Sequence, residues 1–302
     1  MRSFRMKQVD VFTDRRLTGN PLAVILQGEG LTSEEMQAIA REMNLSETTF
    51  VLPPTKTGAD YKVRIFTPTK EIPFAGHPSI GTAHALAEEG RIKVKEGTTI
   101  VNQEVGIGVL PIEIVRDRNG NSLITMTQGQ PKVGRVLQKV RVADALGIPA
   151  EDIGLEGLPV QVSSTGIDQL MVPIRSLEQV QRLSPNLEHL KRLEQELNIT
   201  GCCTFSLRTI SPEAFVHMRF FAPWAGVPED PATGSAAGAL GAYLVAHGVL
   251  GSKSPVSFAV EQGIEIQRPS RITVLVQQEA GVPSVVKVGG RAVTVLDGEI
   301  TL

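Results

Sequence analysis

Cysteine is nearly missing from this chain: 302 residues contain two, Cys202 and Cys203, side by side. A disulfide between neighbours needs strained geometry, so no disulfide framework is expected and a reducing compartment fits. Aromatic residues are also scarce, 4% of the total with one Trp and two Tyr, which removes the stacking platforms that nucleic-acid bases require. Charge of one sign is lacking as well, because 30 Lys and Arg against 32 Asp and Glu leave a net −2 and no basic run exceeds Arg15-Arg16. Without a concentrated positive face, no nucleic-acid partner is expected. No apolar run reaches the roughly 18 residues that cross a bilayer. The opening stretch, MRSFRMKQVDVFTD, meets charges before any apolar segment of signal-peptide length. The expected location is therefore cytoplasmic, with no membrane association, and the expected partner is a small polar or anionic substrate.

What is present points to a folded protein: 41% of the residues are apolar and 21% charged. At roughly 150 residues per domain, the length suggests two domains. Alternation at Val9, Val11 and then Leu22, Val24, Leu26 predicts two strands around the turn Thr18-Gly19-Asn20-Pro21. Thr32 with Glu35 makes a capping box ahead of Met36, Ile39, Ala40 and Met43, a helix ending near Asn44. Strands are expected around Phe50-Val51-Leu52 and from Tyr61 to Phe66, a helix from Pro78 to Glu89, and strand pieces up to about Met126. Residues 128–134 are rich in Gln, Gly and Pro without periodicity, which places the domain junction there. The halves are then 1–128 and 129–285. Beyond the junction, helices are expected from Val140 to Leu146, stopped by Gly147, and from Pro185 to Leu197, capped by Ser184. The stripe Leu187, Leu190, Leu193, Leu197 reads as core.

The chain also echoes itself. Arg64-Ile-Phe-Thr-Pro68 leads to Phe74-Ala-Gly-His-Pro-Ser-Ile-Gly-Thr-Ala83, and Arg219-Phe-Phe-Ala-Pro223 leads to Asp230-Pro-Ala-Thr-Gly-Ser-Ala-Ala-Gly-Ala239. Phe66 and Phe221 are 155 positions apart and Gly76 and Gly234 are 158 apart, about half the chain. Both copies read strand, proline turn, small-residue loop, helix. The repeat implies two similar α+β halves related by a pseudo-twofold, each presenting a glycine-started helix.

Such helix starts expose backbone N–H groups with no bulky side chain in front, and the helix dipole favours an anion there. One copy alone would be equally well explained by close helix packing. A pair points to a carboxylate, or to the negative charge that develops beside one when its neighbouring carbon loses a proton. Asp230 immediately precedes the second helix start and His77 lies within the first, the latter a side chain suited to moving protons near neutral pH. Glu47, among the hydroxyls of Ser46, Thr48 and Thr49 and next to an apolar strand, is a candidate proton carrier, although a solvated loop would carry the same residues. Phosphate-binding glycine loops, H-E-x-x-H and C-x-x-C are all missing, and a nucleophile elbow around Ser235 fails because threonine stands at 233. His84, His189, His217 and His247 are scattered, so no metal site and no cofactor are expected.

Several segments together resemble one family. They are Gln8-Val-Asp-Val-Phe-Thr13, Thr18-Gly-Asn-Pro21, Leu45-Ser-Glu-Thr-Thr-Phe50, Phe74-Ala-Gly-His-Pro78, Asp230-Pro-Ala-Thr-Gly-Ser235, Gln262-Gly with Arg268-Pro-Ser270, and Val288-Gly-Gly-Arg-Ala-Val293. In this order they are similar to the phenazine-biosynthesis PhzF family. The resemblance implies a diaminopimelate epimerase-like α+β fold, with two pseudo-twofold halves, each a curved, mostly antiparallel sheet around a central helix. The final strand, about 286–302, is expected to return to the first half. The resemblance also implies a homodimer and a site between the halves at the two helix starts. Residue by residue, it makes Glu47 the catalytic carboxylate and His77, Asp230 and Ser235 its polar partners. Gly76, Gly234 and Thr233 with Ser46 become substrate contacts, and Asn20 a further contact in the first turn.

Epimerases of this fold use two opposed cysteines at the helix starts. Here those positions read Ala75-Gly76-His77 and Thr233-Gly234-Ser235, so two-thiol racemisation is unavailable. The expected activity is a cofactor-independent isomerase in which Glu47 moves a proton within a small, unsaturated, carboxylated substrate. The precedent that the resemblance supplies is PhzF acting on trans-2,3-dihydro-3-hydroxyanthranilate. A related isomerase, epimerase or lyase on another amino or hydroxy acid, or a non-catalytic binding protein that kept the cleft, are the alternatives.

Overall fold

The computed structural model describes residues 1–155 and 157–302. The chain forms two units, residues 1–127 with 289–302 and residues 128–288. In the first, the elements run β1 (Ser3–Val11), β2 (Asn20–Ile25), α1 (Ser33–Met43), β3 (Glu47–Leu52), β4 (Tyr61–Phe66), β5 (Glu71–Ile72), α2 (Gly76–Glu88), β6 (Gly97–Val105), β7 (Gly108–Arg116) and β8 (Ser122–Thr127). The second unit holds β9 (Lys132–Val136), α3 (Lys139–Leu146), β10 (Gln161–Ser164), β11 (Asp168–Pro173), α4 (Leu177–Arg182), α5 (Leu187–Leu197), β12 (Cys202–Ser206), β13 (Val216–Ala222), β14 (Val227–Asp230), α6 (Gly234–Ala246), β15 (Val256–Gln262), β16 (Ser270–Glu279) and β17 (Val282–Gly290) up to Val288. The last strand, β18 (Ala292–Thr301), lies antiparallel on β1.

The sequence echo becomes an echo of strand pairing. β1–β2 is antiparallel, β2–β3 parallel, β3–β4 antiparallel, β4–β5 antiparallel, β4–β6 parallel and β6–β7 antiparallel. β10–β11, β11–β12, β12–β13, β13–β14, β13–β15 and β15–β16 repeat these senses in the same order. Each parallel pair is bridged by a helical crossover, as parallel strands require. Both units are thus mixed α+β with a mostly antiparallel sheet around one helix, as the sequence predicts.

That helix is α2 in the first unit, against β1, β2, β3, β7, β8 and β18, and α6 in the second, against β9, β10, β11 and β16. A helix wrapped in this way has no wet side and must be apolar and slim all round. Nine of the 13 residues of α2 are buried, and 11 of the 13 in α6. Gly81 shows why they are small: a Cβ there would stand 2.6 Å from Leu22 Cδ2 and 2.8 Å from Val11 Cγ2. By contrast α1 and α5 lie outside their sheets and carry clear apolar stripes. Leu190, Leu193 and Leu197 of α5 are buried as the stripe predicts, whereas Leu187, in the first turn, is exposed rather than core.

Local corrections follow from capping chemistry. The Thr32 capping box and the left-handed Asn44 bound α1 as predicted. The cap of α5, however, is Asn186, whose side chain accepts the His189 N–H, so the helix starts at Leu187 and Ser184 lies outside it. The α2 helix begins at Gly76, two residues before Pro78, because a proline is tolerated in the first turn where no N–H has a partner one turn back. The aperiodic stretch after residue 128 contains β9, an exposed strand paired with β10, whose polarity hid it.

Candidate active site

In the first unit the candidate residues gather where β2, β3 and α2 begin. Asn20 opens β2 and is fully buried, and Glu47 opens the neighbouring parallel strand β3, with Leu22 as its partner. Threonines fasten these starts together. The Thr49 hydroxyl donates to the Ala23 carbonyl at 3.3 Å and lies 2.9 Å from the Thr82 hydroxyl, which ties β2, β3 and α2 at one level. His77, the second residue of α2, then meets Glu47: Nε2 stands 3.3 Å from Oε2. The His77 side chain is 8% exposed and that of Glu47 17%, so the carboxylate is partly sheltered without being sealed. Burial pushes the His77 imidazole down to about 3, and it is neutral near pH 7. The contact is therefore not an ion pair, because the imidazole is neutral.

No side chain caps α2, whose first turn carries no acidic residue. Ser79 donates instead to the Ala75 carbonyl at 2.9 Å, and its oxygen accepts from Gln103 Nε2 at 2.9 Å, leaving the opening of the helix to its backbone donors. Ser46 is half-buried directly ahead of Glu47 and Gly76 is the first residue of α2.

In the second unit the equivalent helix start is more heavily braced. Asp230 ends β14, paired with Phe220 of β13, and its Oδ2 accepts the Thr233 hydroxyl at 2.5 Å. Gln262, the last residue of β15, accepts the Thr233 N–H at 2.8 Å and donates to the Asp230 carbonyl at 2.7 Å and to Thr233 Oγ1 at 3.1 Å. Gly234 starts α6, again without a side-chain cap. Ser235 is half-buried and its Oγ accepts from Gln169 Nε2 at 2.9 Å.

Of the residues singled out from sequence, the fold thus brings Glu47 to His77 and Asp230 to Thr233, and places Gly76 and Gly234 at the starts of the two wrapped helices. Gln103, Gln169 and Gln262 were missed as supports. A lone glutamine on a strand carries no spacing signal, and only Gln262 stood inside a recognised segment. The thiols of Cys202 and Cys203 are buried on β12, away from either helix start in sequence, and burial pushes both well above the usual thiol range. Among the described residues no His, Cys, Asp and Glu cluster could hold a metal ion, and no helix is long and apolar enough to cross a membrane.

Known proteins are similar to this chain over nearly its whole length. The family model described as phenazine biosynthesis-like protein, PhzC-PhzF, matches residues 9–298. An uncharacterized isomerase of Clostridium acetobutylicum is 37% identical, the match covering 100% of this chain and 99% of that one. The trans-2,3-dihydro-3-hydroxyanthranilate isomerase of Pseudomonas fluorescens is 34% identical over 97% of this chain and 98% of its own. The crystal structure of the Bacillus anthracis phenazine biosynthesis protein of the PhzF family matches with a TM-score of 0.91, at 32% identity over 100% of both chains. On these grounds the chain belongs to the phenazine biosynthesis-like PhzC-PhzF family and is an isomerase.

Proposed function

We propose that the chain isomerises a small, unsaturated, carboxylated substrate by moving one proton on Glu47. The observation that carries this reading is the contact of a half-sheltered Glu47 carboxylate with a neutral His77 at an uncapped helix start. The carboxylate takes a proton from an activated carbon, and the electron pair left behind spreads through the conjugated system toward the substrate carboxylate. The resulting Glu47 carboxylic acid returns the proton to a carbon further along. Nothing is oxidised or reduced, so no cofactor enters the step.

Backbone N–H groups at Gly76 and at Gly234 and Ser235 are assigned to the substrate carboxylate, where the developing charge gathers. His77, being neutral, donates or accepts a hydrogen bond without competing for the proton that Glu47 carries. Asn20, Ser46, Asp230, Thr233 and Ser235 are assigned to orienting the substrate. The same reading takes the chain to be a cytoplasmic homodimer, and sedimentation of the purified protein tests the dimer.

The experiment uses trans-2,3-dihydro-3-hydroxyanthranilate as the probe, incubated with the protein in D₂O. Deuterium is expected at carbon in the product to the extent that the protonated Glu47 exchanges with solvent before it returns its proton. General acid–base catalysis is worth about 10²–10⁴-fold, so Glu47→Gln should lose that much turnover while still binding the probe. Undiminished turnover in Glu47→Gln overturns the assignment.

A further inference from the structure

Asp230, the last residue of β14, and Thr233, the residue before α6, bound a short linker, and a linker of this length does not fix side chains by itself. A buried side chain from β15 helps to hold it. Gln262 is completely buried and spends both ends of its carboxamide on the linker: Oε1 on the Thr233 N–H, Nε2 on the Asp230 carbonyl and the Thr233 hydroxyl. That hydroxyl is the one that donates to the Asp230 carboxylate, so the glutamine fixes the backbone on both sides of the turn and the bond across it.

Gln262 is itself braced. Its neighbour Glu261 accepts His217 Nδ1 at 2.8 Å and the N–H groups of Ile210 and Ser211, while Glu265 meets His217 Nε2 at 2.9 Å. His217, fully buried on β13, is thus gripped by carboxylates on either side of Gln262 in sequence. Gly263 completes the bracket. Its φ is +78° and a Cβ there would stand 2.4 Å from both the Pro231 and Arg268 carbonyl oxygens, so the backbone after Gln262 presses directly on the linker. Ser270 adds a hydrogen bond to Pro231 O at 3.0 Å.

We infer that Gln262 is a positioning residue for the isomerase reaction, acting through Asp230 and Thr233 rather than on the substrate. The assignment rests on the function proposed above, in which Asp230 and Thr233 orient the substrate. Misplacing an orienting group by about 1 Å costs on the order of 10²-fold in rate, which sets the scale of the effect.

The test is a double-mutant cycle. Gln262→Met keeps volume and burial but removes all three hydrogen bonds, and Gln262→Glu keeps an acceptor for the Thr233 N–H while losing the two donated bonds. With trans-2,3-dihydro-3-hydroxyanthranilate as substrate, Gln262→Met should lower kcat on the order of 10²-fold with a smaller change in KM, and Gln262→Glu should recover part of it. On an Asp230→Asn background the Gln262→Met substitution should add little, because both act through one group. Effects that multiply, or wild-type kcat in Gln262→Met, overturn the inference. A crystal structure of Gln262→Met supplies the readout that does not depend on the probe: the Asp230–Thr233 bond is expected to be lost, and finding it unchanged overturns the inference whatever the activity. Glu47→Gln run alongside separates the two ideas, since its failure to lose turnover sinks the reaction mechanism while leaving the coupling of 262 to 230 measurable.

Discussion

His77 and Glu194 are buried titratable groups with opposite consequences. The His77 imidazole charges near 6.5 in the unfolded chain and only near 3 in the folded one, so folding is weakened as pH falls through and below 6.5. It carries no charge near pH 7. If the proposed role beside Glu47 holds, replacing it with Gln should lower kcat without moving the acidic limb of the pH–rate profile; a limb displaced in His77→Gln would show that the imidazole titrates during turnover. Glu194 is fully buried on α5, with Oε2 accepting the Trp224 N–H at 2.8 Å, and burial pushes its carboxyl up to about 8. The unfolded chain ionises this group near 4.5 while the folded chain keeps it protonated, so stability falls as pH rises from about 4.5 to about 8. Glu194→Gln keeps the acceptor for Trp224 and removes the titration. Its melting temperature should exceed that of the parent at pH 8 and match it near pH 4.5, which differential scanning calorimetry measures. An equal difference at both values would mean that the carboxyl does not titrate as its burial implies.

At the scale of elements, the two wrapped helices carry the architecture. Sequence periodicity found α1 and α5 because one face of each is wet and the other dry. It could not describe α2 and α6, which are buried on nearly every side and so show no wet–dry alternation; what betrayed them was the repeated strand, proline, glycine and small-residue order. Their slimness is a packing requirement. Gly81→Ala should destabilise the first unit by about 1–3 kcal/mol through overpacking against Leu22 and Val11, seen as a lower urea midpoint with an unchanged slope. The His217 bracket makes a second prediction at this scale. Burial alone would lower the imidazole, but hydrogen bonds and charge from Glu261 and Glu265 raise it to about 9 and hold both carboxyls below their usual range. Arg219 is the other charged group acting on Glu265. The histidine's contribution is complete below pH 6.5 and lost as pH rises through about 9, while the carboxylates' is present above about 4.5. Stability should decline between pH 6.5 and 9, and His217→Gln should flatten that decline. An equally steep decline in the variant would assign it to other groups.

For the molecule as a whole, the proposed carboxylate mechanism needs no thiol, and neither helix start carries one. Both cysteines lie in the hydrophobic interior of β12, with Cys203 Sγ 3.9 Å from Met218 Sδ. Replacing Cys202 and Cys203 together by Ala should leave isomerase kcat within a factor of a few while costing some stability from the small cavities left. Loss of turnover in a variant that still melts cooperatively would point to thiol chemistry.

The sequence alone was enough for the family and the mixed α+β plan, because short segments of fixed order and a repeat half a chain apart are one-dimensional signals. It also named Glu47, His77, Asp230, Thr233 and Ser235. What only the tertiary structure decided is who touches whom. That His77 is neutral follows from its burial among elements far apart in the chain, and that Gln262 secures Asp230 follows from β13 and β15 lying side by side. Hydrogen bonds between residues 30 or more positions apart leave no pattern in a sequence, since any glutamine or threonine can make them and only the fold selects which one does.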